Sequence, residues 1–415
     1  MLMKKNLYGH PAAGRQWSIT RDKFILKRFN TDGWSATKCK MDPCLFHLRK
    51  DGEEMLALIY TDDCDCIGSN QDIMSEFQTI LNDKWGIRET DPEFMLGVKR
   101  TVSNVGADGK DMAVELTMTE YVQSMVKEFE ADITALPKRH REVPIPPGVV
   151  VSLSPNTTVT EENKDYLERG YNRACGMVMW AARHCYPQCL YGISQCCRVM
   201  ARPTEKEWTY ILQIMSYMSQ HATQGVRFTS EHDGYGYSFP VILSDSSNKV
   251  DVYSSRAQHG HVLKFAGGPV ACLSKRHTHF GRSAAHHEYM GLLHASATAI
   301  WALQLFDELK MPGFLNNHPL PMLGDNKAAN TLTLEDLVTG GNQYILMAYH
   351  GIKEYTAEGY VRVFWIAGTE NEADLMTKAV SKETLLNLVD RLTGYEYYDY
   401  EPWVQWNNSD MQWTL

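Results

Sequence analysis

The sequence predicts a multidomain chain of mixed α/β and α+β type, and three observations carry that reading. Its 415 residues exceed what one hydrophobic core usually organises and suffice for about two to three domains. Near the start, two apolar strands flank a Lys50-Asp51-Gly52 turn. From about residue 238, three strands are followed by alternating helix and strand, the order of a mixed sheet covered by helices. Apolar residues at 44% and charged residues at 22% are ordinary globular values.

Taken in order, residues 17–29 carry helical spacing of apolar side chains, 44–48 and 55–60 read as strands, 73–81 as a short amphipathic helix and 94–98 as another strand. The text from 101 to 237 is mostly helical, with helices expected over 119–129, 164–181 and 204–220. Val143-Pro144-Ile145-Pro146-Pro147-Gly148 and the polar stretch 152–163 read as a linker. Beyond 238 the expected strands are 241–245, 249–254 and 261–273. A long helix over 283–309 carries a stripe of Met290, Leu293, Ala297, Ile300 and Leu303. Strand 320–323, a short helix after Asp325, helix 344–358, strand 361–366 and helix 371–378 complete this module. The division that follows is 1–100, 101–237, 238–380 and a tail, 381–415, to which no function is assigned.

Composition excludes several classes. No apolar run approaches the roughly 18 residues of a membrane span, and the start lacks a secretory h-region. The expectation is therefore a chain without membrane partners that is not secreted. Ten cysteines whose spacings (Cys64/Cys66, Cys185/Cys189, Cys196/Cys197) miss the paired C-x-x-C pattern read as free thiols. A net charge of −9 is unusual for a polyanion-binding protein. Basic clusters at Lys138-Arg139-His140-Arg141 and Lys275-Arg276-His277 offset it locally, and carboxylates that hold divalent cations make the total more negative without making a groove so.

Four carboxylates carry the chemistry. Asp245 ends the first strand of the last module, Asp325 ends the fourth, Glu288 lies in the first turns of the long helix and Asp374 in its final helix. Strand carboxyl ends and adjoining helix starts are where an α/β sheet gathers side chains into a crevice. Each residue alone has an ordinary explanation: a strand-end turn, a solvated helix residue, a helix cap, a surface acid. Together, four hard oxygen ligands suit two Mg²⁺ ions about 3.5–4 Å apart, with Mn²⁺ as a substitute, for in-line displacement at phosphorus. His277, His279, His286 and His287 have no cysteine or carboxylate companions at zinc spacing and read as a polar loop beside a nucleic-acid groove. Earlier in the chain, Tyr60-Thr61-Asp62-Asp63 falls between two apolar strands, so a tight turn presents Asp62 and Asp63, a second candidate metal pair.

The text Ser244-Asp245, Glu288-Tyr289-Met290, Gly324-Asp325-Asn326-Lys327-Ala328-Ala329 and Asn371-Glu372-Ala373-Asp374-Leu375-Met376-Thr377-Lys378 resembles the ribonuclease H domain of copia-type long-terminal-repeat retrotransposons. Leu7-Tyr8-Gly9, Arg15-Gln16-Trp17, Asp42-Pro43-Cys44-Leu45-Phe46, the Tyr60 hairpin and Phe94-Met95-Leu96-Gly97 resemble that family's reverse transcriptase palm. The stretch from Tyr186-Pro187 through Ser194-Gln195 to Trp208 resembles its connecting segment. The resemblance implies a partial palm over 1–100, a helical thumb-like connection over 101–237 and a ribonuclease H-like mixed sheet flanked by helices over 238–380. It implies Asp245, Glu288, Asp325 and Asp374 as catalytic metal ligands, Tyr60, Asp62 and Asp63 as the remnant of the polymerase motif, and an RNA–DNA hybrid or other nucleic acid as partner. A cytoplasmic virus-like particle or the nucleus is the implied location.

Departures are visible. His286 stands where the family has an acid two positions before the Glu, and Arg256-Ala257-Gln258-His259-Gly260-His261 replaces its Ser-Thr-Ser-Gly-Tyr stretch. Pro11-Ala12 replaces a Lys-Gln pair, and the family's upstream polymerase aspartate has no counterpart ahead of Leu7. The expectation is ribonuclease H activity without polymerase activity from this chain alone. The alternatives are an inactive element remnant, or a non-catalytic nucleic-acid-binding protein that docks on an intact polymerase copy.

Overall fold

The computed structural model describes residues 10–105, 111–137, 142–152, 158–229, 240–247, 251–278, 280–281, 283–310, 319–333 and 346–400. Leu7, Tyr8, Gly9, the basic cluster 138–141, His279 and the tail from 401 lie outside that set. The chain forms two compact units, Met1–Leu96 with Gln304–Met311 and Gly97–Leu303 with Pro312–Leu415.

In the first unit, α1 (Ala13–Arg28) precedes an antiparallel meander of β1 (Trp34–Lys38), β2 (Leu45–Lys50), β3 (Glu53–Tyr60) and β4 (Asp63–Gly68). The helix α2 (Gln71–Trp85) and the two-residue strand β5 (Phe94–Met95) follow. Because strand side chains alternate, Phe46, Leu48, Met55, Ala57 and Ile59 share one buried face. Ile25 of α1 and Ile73, Phe77 and Leu81 of α2 close that core. The Asn70 side chain accepts from Asp72 N and starts α2, and Gly86 ends it in the left-handed conformation. β1 is an element the sequence pattern did not signal: only Trp34 and Ala36 of its five residues are apolar and buried.

The second unit opens with β6 (Val98–Val105) and β7 (Asp111–Thr117), antiparallel to each other and, through β7, to β8 (Val226–Thr229). Helices α3 (Thr119–Glu128), α4 (Glu130–Ala135), α5 (Glu161–Glu168), α6 (Tyr171–His184), α7 (Leu190–Cys197) and α8 (Glu205–Gln220) form its helical part. The expected helix over 164–181 is thus two, parted at Gly170, and α7 is additional. A capping box between Thr204 and Glu207 opens α8. The supposed linker is partly core: Val143, Pro144 and Ile145 are buried, and Gln213 Nε2 donates to Val143 O at 2.9 Å. An apolar triplet whose carbonyl finds a buried donor belongs inside, whatever its proline content.

The mixed sheet has the order β11-β10-β9-β12-β13. Its strands are β9 (Val241–Ser246), β10 (Gln258–Phe265), β11 (Gly268–Arg276), β12 (Leu320–Gly324) and β13 (Val361–Trp365). The first three pair antiparallel; β12 runs parallel to β9, and β13 parallel to β12. The strand expected over 249–254 is not one in its described part. Val252 and Tyr253 are exposed, in a turn where Asp251 Oδ1 accepts from Tyr253 N and Ser254 N at 3.1 and 2.7 Å. The expected strand over 261–273 is instead a hairpin, turned at Ala266 (φ 51°) and Gly267 (φ 73°).

Helices α9 (Ala284–Glu308, whose residues from Gln304 onward belong to the first unit), α10 (Lys327–Leu332), α11 (Leu346–Ala357), α12 (Asp374–Thr377) and α13 (Lys382–Thr393) complete the unit. The helix expected over 371–378 shrinks to the four residues of α12. The face α9 buries is not the predicted stripe: Glu288, Gly291, Leu292, Ala295, Ala299 and Ala302 are buried, Leu293, Ile300 and Leu303 only partly, and Ala297 is exposed. Small residues win that face because they let the helix approach closely. One apolar core joins α3, α6, α7 and α8 to Val262 of β10, Leu375 and Met376 of α12, and Leu385, Leu388 and Leu392 of α13. Polar contacts reinforce it: Gln258 Nε2 donates to Ser194 Oγ of α7 at 3.0 Å and to Ser274 Oγ of β11 at 2.9 Å.

Candidate metal centre

Two close approaches assemble the acidic cluster. A Cβ on Gly291 would lie 2.5 Å from Ser246 Oγ, so only glycine lets α9 lie this near the end of β9, and that contact sets Glu288, one turn earlier, beside Asp245. Gly260, paired opposite Asp245, leaves room for α12: a Cβ there would meet Met376 Cβ at 2.3 Å. Thr377 of α12 donates its hydroxyl to Asp245 Oδ2, and Asn371 Nδ2 donates to Ser244 O at 3.0 Å. Beyond β12, Asn326 rather than Asp325 caps α10, its side chain accepting from Ala329 N at 3.1 Å. Asp325 is thus left to the cleft, while Trp365 Nε1 donates to its carbonyl at 3.0 Å.

Carboxylate oxygens of Asp245, Glu288 and Asp325 all lie within 4.8 Å of one another. Asp374 joins through Lys378, whose Nζ stands 2.6 Å from Asp374 Oδ1 and 3.3 Å from Asp245. A cleft of about 590 Å³ is lined by all four acidic residues together with Ser247 and Lys378. All four acids expected from the sequence therefore share one site. Lys378, quoted in the sequence only as part of a motif, is the member whose contribution was missed: its position four residues beyond Asp374 was the available signal.

The electrostatics show what this site lacks. Burial first, then the charges of Asp245 and Asp325, push the Glu288 carboxyl up to about 10. Burial and then Asp245 push Asp374 up to about 7, with Lys378 pulling the other way, and Asp325 is raised for the same two reasons. Burial works against the charge on Lys378, but Asp245 and Asp374 outweigh it and hold the ammonium above its ordinary range. One lysine is too little positive charge for four acids. A buried, all-oxygen donor set that holds protons at neutral pH for want of counter-charge fits hard divalent cations.

Asp62 and Asp63 belong to the first unit and are exposed. Tyr60 pairs with Asp63 across the tip of the β3–β4 hairpin, as the sequence implied. Thr61 at the turn adopts φ 51°, unusual for a β-branched residue. Trp17 Nε1 fixes it by donating to Thr61 O at 2.8 Å, and the buried Arg21 donates to Ile59 O beneath. No third acid shares a metal-sized cluster with Asp62 and Asp63 among the described residues.

The histidines group differently from the sequence reading. His277 clusters with His259 and His294, their ligand nitrogens within 4.8 Å of one another. His286 and His287 are not members of that cluster, although the His287 ring lies 5.8 Å from His277. The grouping escaped notice because it depends on strand pairing and not on local spacing.

No protein-family model matches the chain. It is 22% identical over 386 residues to the retrovirus-related Pol polyprotein from transposon TNT 1-94 of Nicotiana tabacum, covering 92% of this chain and 27% of that relative. To the corresponding polyprotein from transposon RE2 of Arabidopsis thaliana it is 21% identical over 386 residues, covering 93% and 24%. The chain thus spans about a quarter of the length of the curated relatives it matches. Among solved structures, LC11-RNase H1 isolated from compost aligns at 15% identity and a TM-score of 0.26, over 34% of this chain and 92% of that one. Similarity to retrotransposon Pol polyproteins along nearly the whole sequence bears out the resemblance read from its motifs. No helix among the described residues is long and apolar enough to cross a membrane.

Proposed function

We propose that residues 238–380 form a metal-dependent nuclease module that hydrolyses RNA phosphodiesters in RNA–DNA hybrids, as part of a retrotransposon polyprotein. The observation that carries this reading is the meeting of Asp245, Glu288, Asp325 and Asp374 in one cleft, on strand ends and helices far apart in the sequence. These four residues would hold a pair of Mg²⁺ ions, which when bound supply charge neutralisation at phosphorus and an acidified water. The chain's own groups do the positioning. Thr377 orients Asp245, Asn371 and Trp365 brace the strand ends beneath Asp245 and Asp325, and Lys378 keeps Asp245 and Asp374 together while offering a cation to a phosphate oxygen. Hybrid recognition would rest on backbone and 2′-hydroxyl contacts, with little sequence reading.

We propose that this chain alone has no polymerase activity; Asp62 and Asp63 share no cluster with a third acid among the described residues. The test is a hybrid-cleavage assay with Mg²⁺ comparing the parent with Asp325→Asn. Cleavage that requires the ion and falls at least about 100-fold in the variant supports the nuclease. Equal signals from both proteins, or none from either, would favour the inert remnant.

A further inference from the structure

The departure at 256–261, where His259 and His261 stand in place of small and hydroxyl residues, has a partner elsewhere in the fold. His259 pairs opposite Lys275 in the β10–β11 ladder, and His277 N continues that ladder by donating to Ala257 O at 2.9 Å. His259 and His277 are therefore diagonal neighbours on one face. Helix α9 crosses the same face and brings in His294. Ring centroids stand 4.5 Å apart for His259 and His277, 4.3 Å for His259 and His294, and 6.0 Å for His277 and His294. His259 and His277 are buried, and His259 Nδ1 has no hydrogen-bond partner although its side chain is 1% exposed.

We propose that His259, His277 and His294 form a zinc site that clasps the β10–β11 edge to α9. Three imidazoles with ligand nitrogens within 4.8 Å of one another are a donor set for a borderline divalent ion. Tetrahedral zinc holds such nitrogens about 3.3 Å apart, so the rings, which now stack at 28° for His259 with His277 and 18° for His259 with His294, must turn about their side-chain bonds to aim three nitrogens at one ion and leave a fourth position for water. Ser246 Oγ, 3.4 Å from His277 Nε2, supplies the outer contact that orients a ligating ring. The ligand choice separates this site from the carboxylate cleft, since imidazole suits zinc and carboxylate suits magnesium.

The test uses the full chain, stripped with chelator and titrated with Zn²⁺ in excess Mg²⁺, read by calorimetry and by zinc X-ray absorption. The expected result is one Zn²⁺ per chain with about three imidazole nitrogens and no sulfur, and an affinity at least tenfold weaker in His294→Gln. His294 is the least buried ligand, so that variant should fold; should it not, the absorption spectrum of the parent decides alone. Sulfur in the zinc shell, an oxygen-only shell, binding lost in Asp325→Asn but kept in His294→Gln, or no binding at all would each overturn the proposal.

Discussion

Replacing Glu288 by glutamine should stabilise the metal-free chain near neutral pH, although it removes a proposed catalytic residue. The folded chain raises the Glu288 carboxyl from 4.5 to about 10. A carboxyl raised on folding contributes stability that is fully present below its unfolded value and is lost as pH rises through its folded value. Between 4.5 and pH 7 the loss amounts to about 3 kcal/mol, at about 1.4 kcal/mol per pH unit. Glutamine keeps the shape and does not titrate, at a cost of about 1 kcal/mol for an amide without a built partner. In chelator, Glu288→Gln should therefore exceed the parent by about 2 kcal/mol at pH 7 and by more at pH 9, and should fall about 1 kcal/mol below it at pH 4.5. Mg²⁺ should reverse the order by stabilising only the parent. Urea unfolding followed by circular dichroism, at those three pH values with chelator or Mg²⁺, measures all of this. A variant less stable than the parent by the same amount at every pH would refute the crowding of Glu288 by Asp245 and Asp325.

Three further outcomes are expected. Gly260→Ala should destabilise the fold by about 1–3 kcal/mol in urea unfolding, because its Cβ collides with Met376 and with Leu273 O. Glu372→Gln leaves buried Lys264 Nζ without the carboxylate now 3.0 Å away and should cost about 3–5 kcal/mol by the same measurement. Asn at both Asp62 and Asp63 should leave hybrid cleavage within about twofold of the parent, since neither belongs to the proposed cluster; a loss comparable to that in Asp325→Asn would move the catalytic ions to the hairpin.

What could be read from the sequence follows from which signals are local. Asp245 and Asp325 were legible because each closes an apolar strand, and the β3–β4 hairpin because its alternation is regular. The hairpin of β10 and β11 was not: the Ala266-Gly267 turn interrupts an otherwise continuous strand-like run, and polar Gln258 and His259 disguise where β10 begins. The burial of α9 was misplaced because large apolar residues mark its partly exposed side, while glycine and alanine meet the sheet. Val143, Pro144 and Ile145 looked like linker because proline content outweighed their apolarity. The three histidines acquire meaning only when β10 and β11 pair and α9 packs on them, which no linear spacing encodes.

Electron paramagnetic resonance of Mn²⁺ bound to the chain, with a cleavage-resistant RNA–DNA hybrid present, addresses the acidic cluster at its root. Two ions about 3.5–4 Å apart should give an exchange-coupled spectrum. That coupling should vanish in Asp245→Asn and persist when Asp62 and Asp63 are both asparagine. Isolated Mn²⁺ signals alone, or coupling that survives the loss of Asp245, would contradict a shared ion pair among Asp245, Glu288, Asp325 and Asp374.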